Sequence, residues 1–431
     1  MMHLPDQPAP GRKSNRPVTT VVEPAPLLRR PVLWWCSLFI LLALLLPARP
    51  LSARPGWRFH GLVAQGGQID AQSGADGTIH LVSSRYYQFD RQGRLLLDEP
   101  VGDGRQGAMD FPPALAVDAE GGVHLLTRHD GSWSSGLALR YRRRSAAGTW
   151  DRDMALEPRA PRNYVVGIGV AGPDRLFMLS GRQVANVWGN IVLWQQEGGS
   201  VLPEGELTDI WRVDTDARMR AGNDRIFLVS GRCDGDGSVY FTHCRPDSDC
   251  ITEMRANLRV HRGGSGRRGM PDIAIDGLGQ GHLTYGADQE VYYNRYDASQ
   301  RPVFARDRKI FSDLGTWHLS IGLSAVAASA DGSRVLAVAL RSDGSKEAGN
   351  SELLWSWSAD GGATWSTPRS MGVRTDGGEG RRRPRLVAVD STFFLFYADR
   401  EARGISMASI DLEQDSGPPA INGALHLLLD G

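Results

Sequence analysis

Short runs in which alternate residues are apolar recur along most of this chain, each followed by a turn and a second such run. The units read QIDAQSGADGTIHLVSSR near 68, PALAVDAEGGVHLLTR near 113, VVGIGVAGPDRLFMLSGR near 165 and RAGNDRIFLVSGR near 220. They return as PDIAIDGLGQGHLTYGA near 271, SAVAASADGSRVLAVALR near 324 and PRLVAVDSTFFLFYADR near 384. A period of two over four to eight residues, bounded by Gly and Asp, predicts half-buried strands joined by tight turns. A third run follows in each later unit, as in LALRYRRR, IVLWQQ, SVYFTHC, EVYYNRYD, ELLWSWS and ISMASIDL. No helical periodicity of useful length separates the units.

Room remains for a fourth strand per unit, so the spacing predicts four short antiparallel strands at a period of roughly 50 residues. One such sheet cannot bury both faces alone, whereas a closed ring of sheets can. The expected fold is therefore all-β, a single β-propeller over 57–412 with seven blades favoured and six as the alternative. The seventh unit shows only three strands, and Trp57–Ala64 is placed to supply its fourth and lock the ring.

Residues 1–31 form a polar, Pro- and Arg-rich arm, and 413–431 a tail. Between arm and propeller lies VLWWCSLFILLALLL (32–46), without a charge and closed by Pro47-Ala48-Arg49-Pro50. Residues 32–47 read as a signal anchor or signal-peptide apolar segment, with the basic arm held in the cytoplasm. The expected location is the cell envelope, with a membrane contact through 32–47 and the propeller extracytoplasmic, in the periplasm or outside the cell. Of four cysteines, Cys233, Cys244 and Cys250 crowd one stretch. A local Cys244–Cys250 disulfide suits such a compartment, leaving Cys233 odd.

One sharp motif stands in the sixth unit: Ser358-Ala359-Asp360-Gly361-Gly362-Ala363-Thr364-Trp365. It matches Ser-x-Asp-x-Gly-x-Thr-Trp, the Asp-box or BNR repeat. Ser145-Ala146-Ala147-Gly148-Thr149-Trp150 is a shorter echo in the second unit, and the Cys244–Cys250 loop takes the same place in the fourth. The chain thus resembles the Asp-box propellers of the sialidase-like superfamily, which implies the fold but includes hydrolases, lyases and non-enzymatic binders. The Phe/Tyr-Arg-Ile-Pro tetrapeptide of sialidases is absent, and neither a Tyr nucleophile nor an acid/base Asp can be assigned.

The chain carries 49 basic and 49 acidic residues, so no general affinity for nucleic acid follows. All but three of the basic residues are arginine. Strand 2 is expected to end in arginine in six units, at Arg85, Arg128, Arg182, Arg232, Arg341 and Arg400, and the lead-ins to strand 1 add Arg105, Arg162, Arg218, Arg220, Arg267, Arg268, Arg382 and Arg383. In a propeller both loop sets meet at one mouth, where guanidinium forks suit carboxylate, sulfate or phosphate. The candidate ligand-binding set is Arg128, Arg182, Arg220, Arg232, Arg268, Arg341, Arg383 and Arg400, and the expected partner an acidic glycan or other anion. The competing expectation is that each arginine pairs with an acid on a neighbouring blade, and the same loops carry Asp130, Asp234, Asp236, Asp288, Asp343, Glu347, Asp399 and Glu401. No metal or cofactor is expected: Asp234-Gly-Asp236-Gly-Ser238 has alternate oxygen ligands but no closing Glu. His129, His318, Tyr285 and Tyr397 are the possible catalysts for hydrolysis or β-elimination of acidic sugars. His80, His124 and His282, within strand 2, read as packed repeat positions.

Overall fold

The computed structural model describes residues 56–413, apart from 67, 102–112, 130–136, 161–162, 172–174, 185–186, 198–199, 208–212, 223, 233–237, 262–270, 288, 316–322, 343–350 and 376–382. Residues 1–55 and 414–431, and with them the apolar segment 32–47, lie outside the described residues. No helix among the described residues is long and apolar enough to cross a membrane.

The first sheet sets the pattern. Strands β2 (Asp70–Ser73), β3 (Ile79–Val82), β4 (Arg85–Phe89) and β5 (Leu95–Pro100) pair antiparallel in chain order. Four more sheets repeat that order among the described residues, beginning with β6 (Ala114–Val117), β10 (Asn163–Val170), β14 (Val213–Ala221) and β18 (Asp272–Ile275). The remaining strands form one eight-stranded sheet. It joins β22 (Ser324–Ala328), β23 (Val335–Ser342), β24 (Ser351–Ser358) and β25 (Arg369–Thr375) to a second group of four. That group is β26 (Arg385–Val389), β27 (Thr392–Asp399), β28 (Gly404–Asp411) and β1 (Arg58–Ala64). The Thr375–Asp399 pair links the two groups. The earliest described strand therefore lies against the last: β1 runs antiparallel to β28, from Arg58 opposite Ser409 to Ala64 opposite Ile405. Trp57–Ala64 takes the position expected of it. Each sheet's first strand packs on the next sheet's first strand, and β26 packs on β2, which gives a propeller arrangement.

The core lies in the seams between sheets, because each strand sends alternate side chains to opposite faces. On β4, Tyr86 packs with Leu115 and Leu125 of the second sheet, while its neighbour Tyr87 packs with Val387, Phe394 and Met407 of the last. Burying each such side chain contributes roughly 1.5–3 kcal/mol. The turns after first strands are fixed by an acid and a glycine. Asp276 accepts the N–H groups of Leu278 and Gln280 at 2.9 and 2.8 Å, and Gly279 takes the positive φ (75°) that the turn needs.

The strand-2 histidines complete these turns. A carboxylate can only accept, so His282 donates Nε2–H to Asp276 (3.1 Å) and accepts the Tyr293 hydroxyl at Nδ1 (2.8 Å). His124 links Asp118 and Tyr141 in the same way, and His80 links Thr78 and Tyr86. All three histidines are buried packing positions, as the sequence suggests. In the turn Ser358–Trp365, Asp360 accepts Thr364 N–H (2.8 Å) and the Thr364 and Ser358 hydroxyls, while Trp365 donates to Gly362 O (3.0 Å) and packs on Tyr293.

Cys244 and Cys250 form a disulfide at a Cα separation of 5.1 Å. It closes on a seven-residue helix, α1 (Cys250–Ala256), that the strand pattern does not foresee. Asp249 caps it by accepting Thr252 N–H, a local signal too short to register as periodicity.

Candidate functional site

The first strands surround an axial channel, and their sequences decide what reaches it. Asp70 opens β2 and Asp272 opens β18, equivalent positions in their units. Each carboxylate accepts a backbone N–H from the first strand of the following sheet: Leu115 to Asp70 at 3.0 Å and Val326 to Asp272 at 3.1 Å. Arg218 and Arg220 stand two apart on β14 and so share one face. Arg385 opens β26, and Arg383 leads into it. These six buried or nearly buried side chains, from four different sheets, meet across the axis.

Asp70 is the hub. It is fully buried and takes two hydrogen bonds from Arg220, at 2.9 and 3.3 Å. The guanidiniums of Arg385 and Arg218 lie 3.3 and 3.7 Å from its Oδ1. The Arg385 Nε is close to Asp70 but poorly aligned with it, and its Nη1 donates to Pro384 O at 2.9 Å. Asp272 is held more loosely, with Arg218 Nε at 3.9 Å. Arg383 donates to Pro271 O at 3.3 Å, directly beside Asp272. Burial pushes the Asp272 carboxyl up to about 6, against the pull of Arg220, the Val326 N–H and Arg383, while Asp70 adds like charge. Burial works on Arg385 as well and lowers it, whereas Asp70 keeps Arg220 firmly cationic. Four guanidiniums against two carboxyls leave this centre net positive.

A cavity of about 540 Å³ opens from the cluster toward the turns that follow the first strands. Arg220, Arg385 and Asp272 form its floor, and alanines such as Ala221, Ala274, Ala327 and Ala388 its walls. Gln72, Ser73 and the backbone around Gly74, Gly222 and Gly277 lie toward its rim. The volume falls within the ~300–1,000 Å³ typical of small-molecule sites. This cavity lies at the end of the channel opposite the loops from which the arginine set was read.

Of that set, Arg220 and Arg383 are brought together at the centre, both acting on Asp272. Arg341 is exposed on β23 and pairs with Glu352, its register partner on β24, and Arg400 lies exposed just after β27. Arg128 lies on β7 (Val123–His129), Arg182 on β11 (Leu176–Val184) and Arg232 on β15 (Ile226–Arg232); their side chains are outside the described residues. Arg268, His318 and the loop acids Asp130, Asp234, Asp236, Asp288, Asp343 and Glu347 are outside them too, as are Cys233 and the side chain of His129. Arg85 opens β4, rather than ending the preceding strand, and pairs with Asp98 at 2.5 Å. Arg85 and Arg341 thus clasp acids within their own sheets, not on a neighbouring blade as the competing expectation has it.

Tyr285 is engaged elsewhere. Its hydroxyl donates to Asp307, which also accepts from His261 Nδ1 (3.0 Å) and Asn294 (2.6 Å) at the seam between the fourth and fifth sheets. Burial and the adjacent carboxylate push this phenol far above its ordinary range, so it is no base near neutrality. Among the described residues, no group of three or more His, Cys, Asp or Glu could hold a metal ion.

No protein-family model matches this chain, and no curated protein is similar to it in sequence. Solved structures do resemble it. The BP39L lectin from Burkholderia pseudomallei superimposes with a TM-score of 0.55 at 12% identity, over 83% of this chain and 98% of the lectin. A PL25 ulvan lyase gives 0.48 at 12% identity over 81% and 95%, and YCF48 bound to a D1 peptide gives 0.46 at 13% over 84% and 98%. At such identities the likeness bears on the fold alone, and that fold is a β-propeller.

Proposed function

We propose that this chain is an extracytoplasmic, membrane-tethered propeller that binds an anionic ligand, an acidic glycan, in its arginine-lined channel. The observation that carries the reading is the cluster of Arg218, Arg220, Arg383 and Arg385 around two carboxyls, with Arg220 and Arg385 at the floor of a ligand-sized cavity. The guanidiniums of Arg220 and Arg385 at the floor can bind a carboxylate or sulfate through paired N–H groups. The amide of Gln72, the hydroxyl of Ser73 and the glycine backbone near the rim match the hydroxyls of a sugar. The apolar run 32–46 supports the tether, and the Cys244–Cys250 disulfide supports an oxidising compartment. We read the ring as seven-bladed and sialidase-like: the eight-stranded sheet divides at Thr375–Asp399 into two four-stranded groups, and the Asp-box turn makes its expected hydrogen bonds.

Binding is preferred to turnover because Asp70 is wholly buried and, of the carboxyls that line the cavity, Asp118 and Asp276 are engaged by His124 and His282 and Asp390 lies beside Arg91, which leaves Asp272. A carboxyl pair flanking a glycosidic bond would need two groups facing the sugar. The test is calorimetric titration of the purified protein with oligogalacturonate, sialyllactose and a sulfated disaccharide at low and high salt. Micromolar to millimolar binding that weakens with salt, and is lost in Arg220→Gln, is expected. Salt-independent binding, or binding untouched by Arg220→Gln, would place the site elsewhere, and product formation would make the protein an enzyme.

A further inference from the structure

The two carboxyls in the channel occupy equivalent positions yet are treated unequally. Asp70 collects the close guanidinium contacts: Arg220 at 2.9 and 3.3 Å, Arg385 at 3.3 Å and Arg218 at 3.7 Å. Asp272 has the Val326 N–H at 3.1 Å and Arg218 no nearer than 3.9 Å. Asp272 also lines the cavity. An anion arriving at the floor therefore meets a buried carboxylate whose own charge is weakly compensated. Two negative groups sharing a buried site is the arrangement in which one of them takes a proton.

We propose that anion binding in this channel is coupled to protonation of Asp272, so that the site tightens as the pH falls. This rests on the anion-site reading above. The charged groups facing Asp272 from the packed elements are Arg218 and Arg220 of β14, Asp70 of β2, and Arg383 and Arg385 at the start of β26. From its own sheet it faces Thr284, its register partner, whose hydroxyl accepts from Ser324 of β22 at 3.1 Å. Asp70 is held by three guanidiniums at 2.9, 3.3 and 3.7 Å, whereas Arg218 lies 3.9 Å from Asp272, so Asp272 is the carboxyl on which an incoming negative charge falls. Its carboxyl already sits near 6 without a ligand, and a nearby anion raises it further. Once protonated, Asp272 keeps the Val326 hydrogen bond through its carbonyl oxygen and turns its O–H toward the anion, becoming a donor beside the guanidiniums. Ligand and proton then stabilise one another, as linkage requires.

The probe is inorganic sulfate, whose own charge does not change between about pH 5 and 8, titrated calorimetrically into the full-length protein. Wild type is expected to lose affinity as pH rises above about 6, by up to about tenfold per pH unit. Asp272→Asn is expected to bind with a flat profile and, at the alkaline end, at least about tenfold more tightly than wild type. Should that variant not fold, wild type in two buffers of different ionisation enthalpy gives the same answer, because about one proton should be taken up per sulfate near pH 7. Sulfate binding with a flat profile and no proton uptake overturns the coupling and leaves the anion site standing. Failure of both sulfate and oligogalacturonate to bind at any pH removes the site and the coupling together.

Discussion

Replacing Asp70 by Asn tests the channel cluster most directly. The change keeps the size of the side chain and an oxygen that can accept the Leu115 N–H, and removes the charge. Arg218, Arg220 and Arg385 lose the carboxylate that lies within 3.7 Å of all three, at side-chain exposures of 5, 14 and 3%. Breaking a buried ion pair from one side costs about 3–5 kcal/mol, because the remaining charge stays desolvated. With a urea dependence of about 3 kcal/mol per molar, the unfolding midpoint should fall by roughly 1–1.5 M. Asp70→Ala should cost about 1–3 kcal/mol more, by leaving the Leu115 N–H unpaired. Asp272→Asn supplies the contrast. Burial raises its pKa from 3.8 to about 6, so above that pH the ionised form costs the fold roughly 3 kcal/mol. The neutral variant should then equal or exceed wild type in stability near pH 7.5. Circular dichroism or tryptophan fluorescence in urea reads both. Equal destabilisation by the two Asn variants, or an Asp70→Asn midpoint unchanged from wild type, would show that the carboxyls are not unequal in the way described.

Four other outcomes are expected. Acid should weaken the fold through His80 and His243, each buried, deprived of charge by desolvation and lowered to about 4. Their stabilisation is complete above the unfolded value near 6.5 and is lost as pH falls toward 4, about 3 kcal/mol for His80 and less for the more solvent-screened His243, so urea midpoints should drop across that window. Asp272 acts with the opposite sign, and Asp272→Asn should make the acid loss steeper between 4 and 6. Cys244→Ser with Cys250→Ser should cost about 2 kcal/mol, the value for so short a loop, and reductant should cost wild type as much, both read as thermal midpoints. Asp360→Ala should lose about 1–3 kcal/mol by freeing Thr364 N–H and two hydroxyls, with sulfate affinity unchanged because neither Asp360 nor its partners Ser358 and Thr364 line the cavity.

The strand pattern was legible because each sheet is half of two seams, and both faces write a period of two into the sequence. The acid–glycine turns and the strand-2 histidines were legible for a similar reason: Asp118 with His124 and Asp276 with His282 recur six residues apart. Even the closing strand could be read, since the last unit lacks one and Trp57–Ala64 precedes the first. The channel was harder. Arg220 and Arg383 stood in the candidate set, but so did Arg341, which merely pairs across its own sheet with Glu352. A guanidinium at a strand end looks the same in sequence whether it turns to the axis or to a neighbour. Asp70, Asp272 and Arg385 were missed, although a signal existed: an Asp opens the first strand in QID and PDI. Its meaning depends on which sheets face each other across the axis, and local spacing does not hold that information.

The pairing of β1 with β28 ties the beginning of the ring to its end. Nearly 350 residues separate Arg58 from Gly404, so a chain emerging from the ribosome carries β1 without its mate until those residues have been made. Pairing of β1 thus comes after the other sheets have been made, and until then its edge is open to any holdase that meets it first.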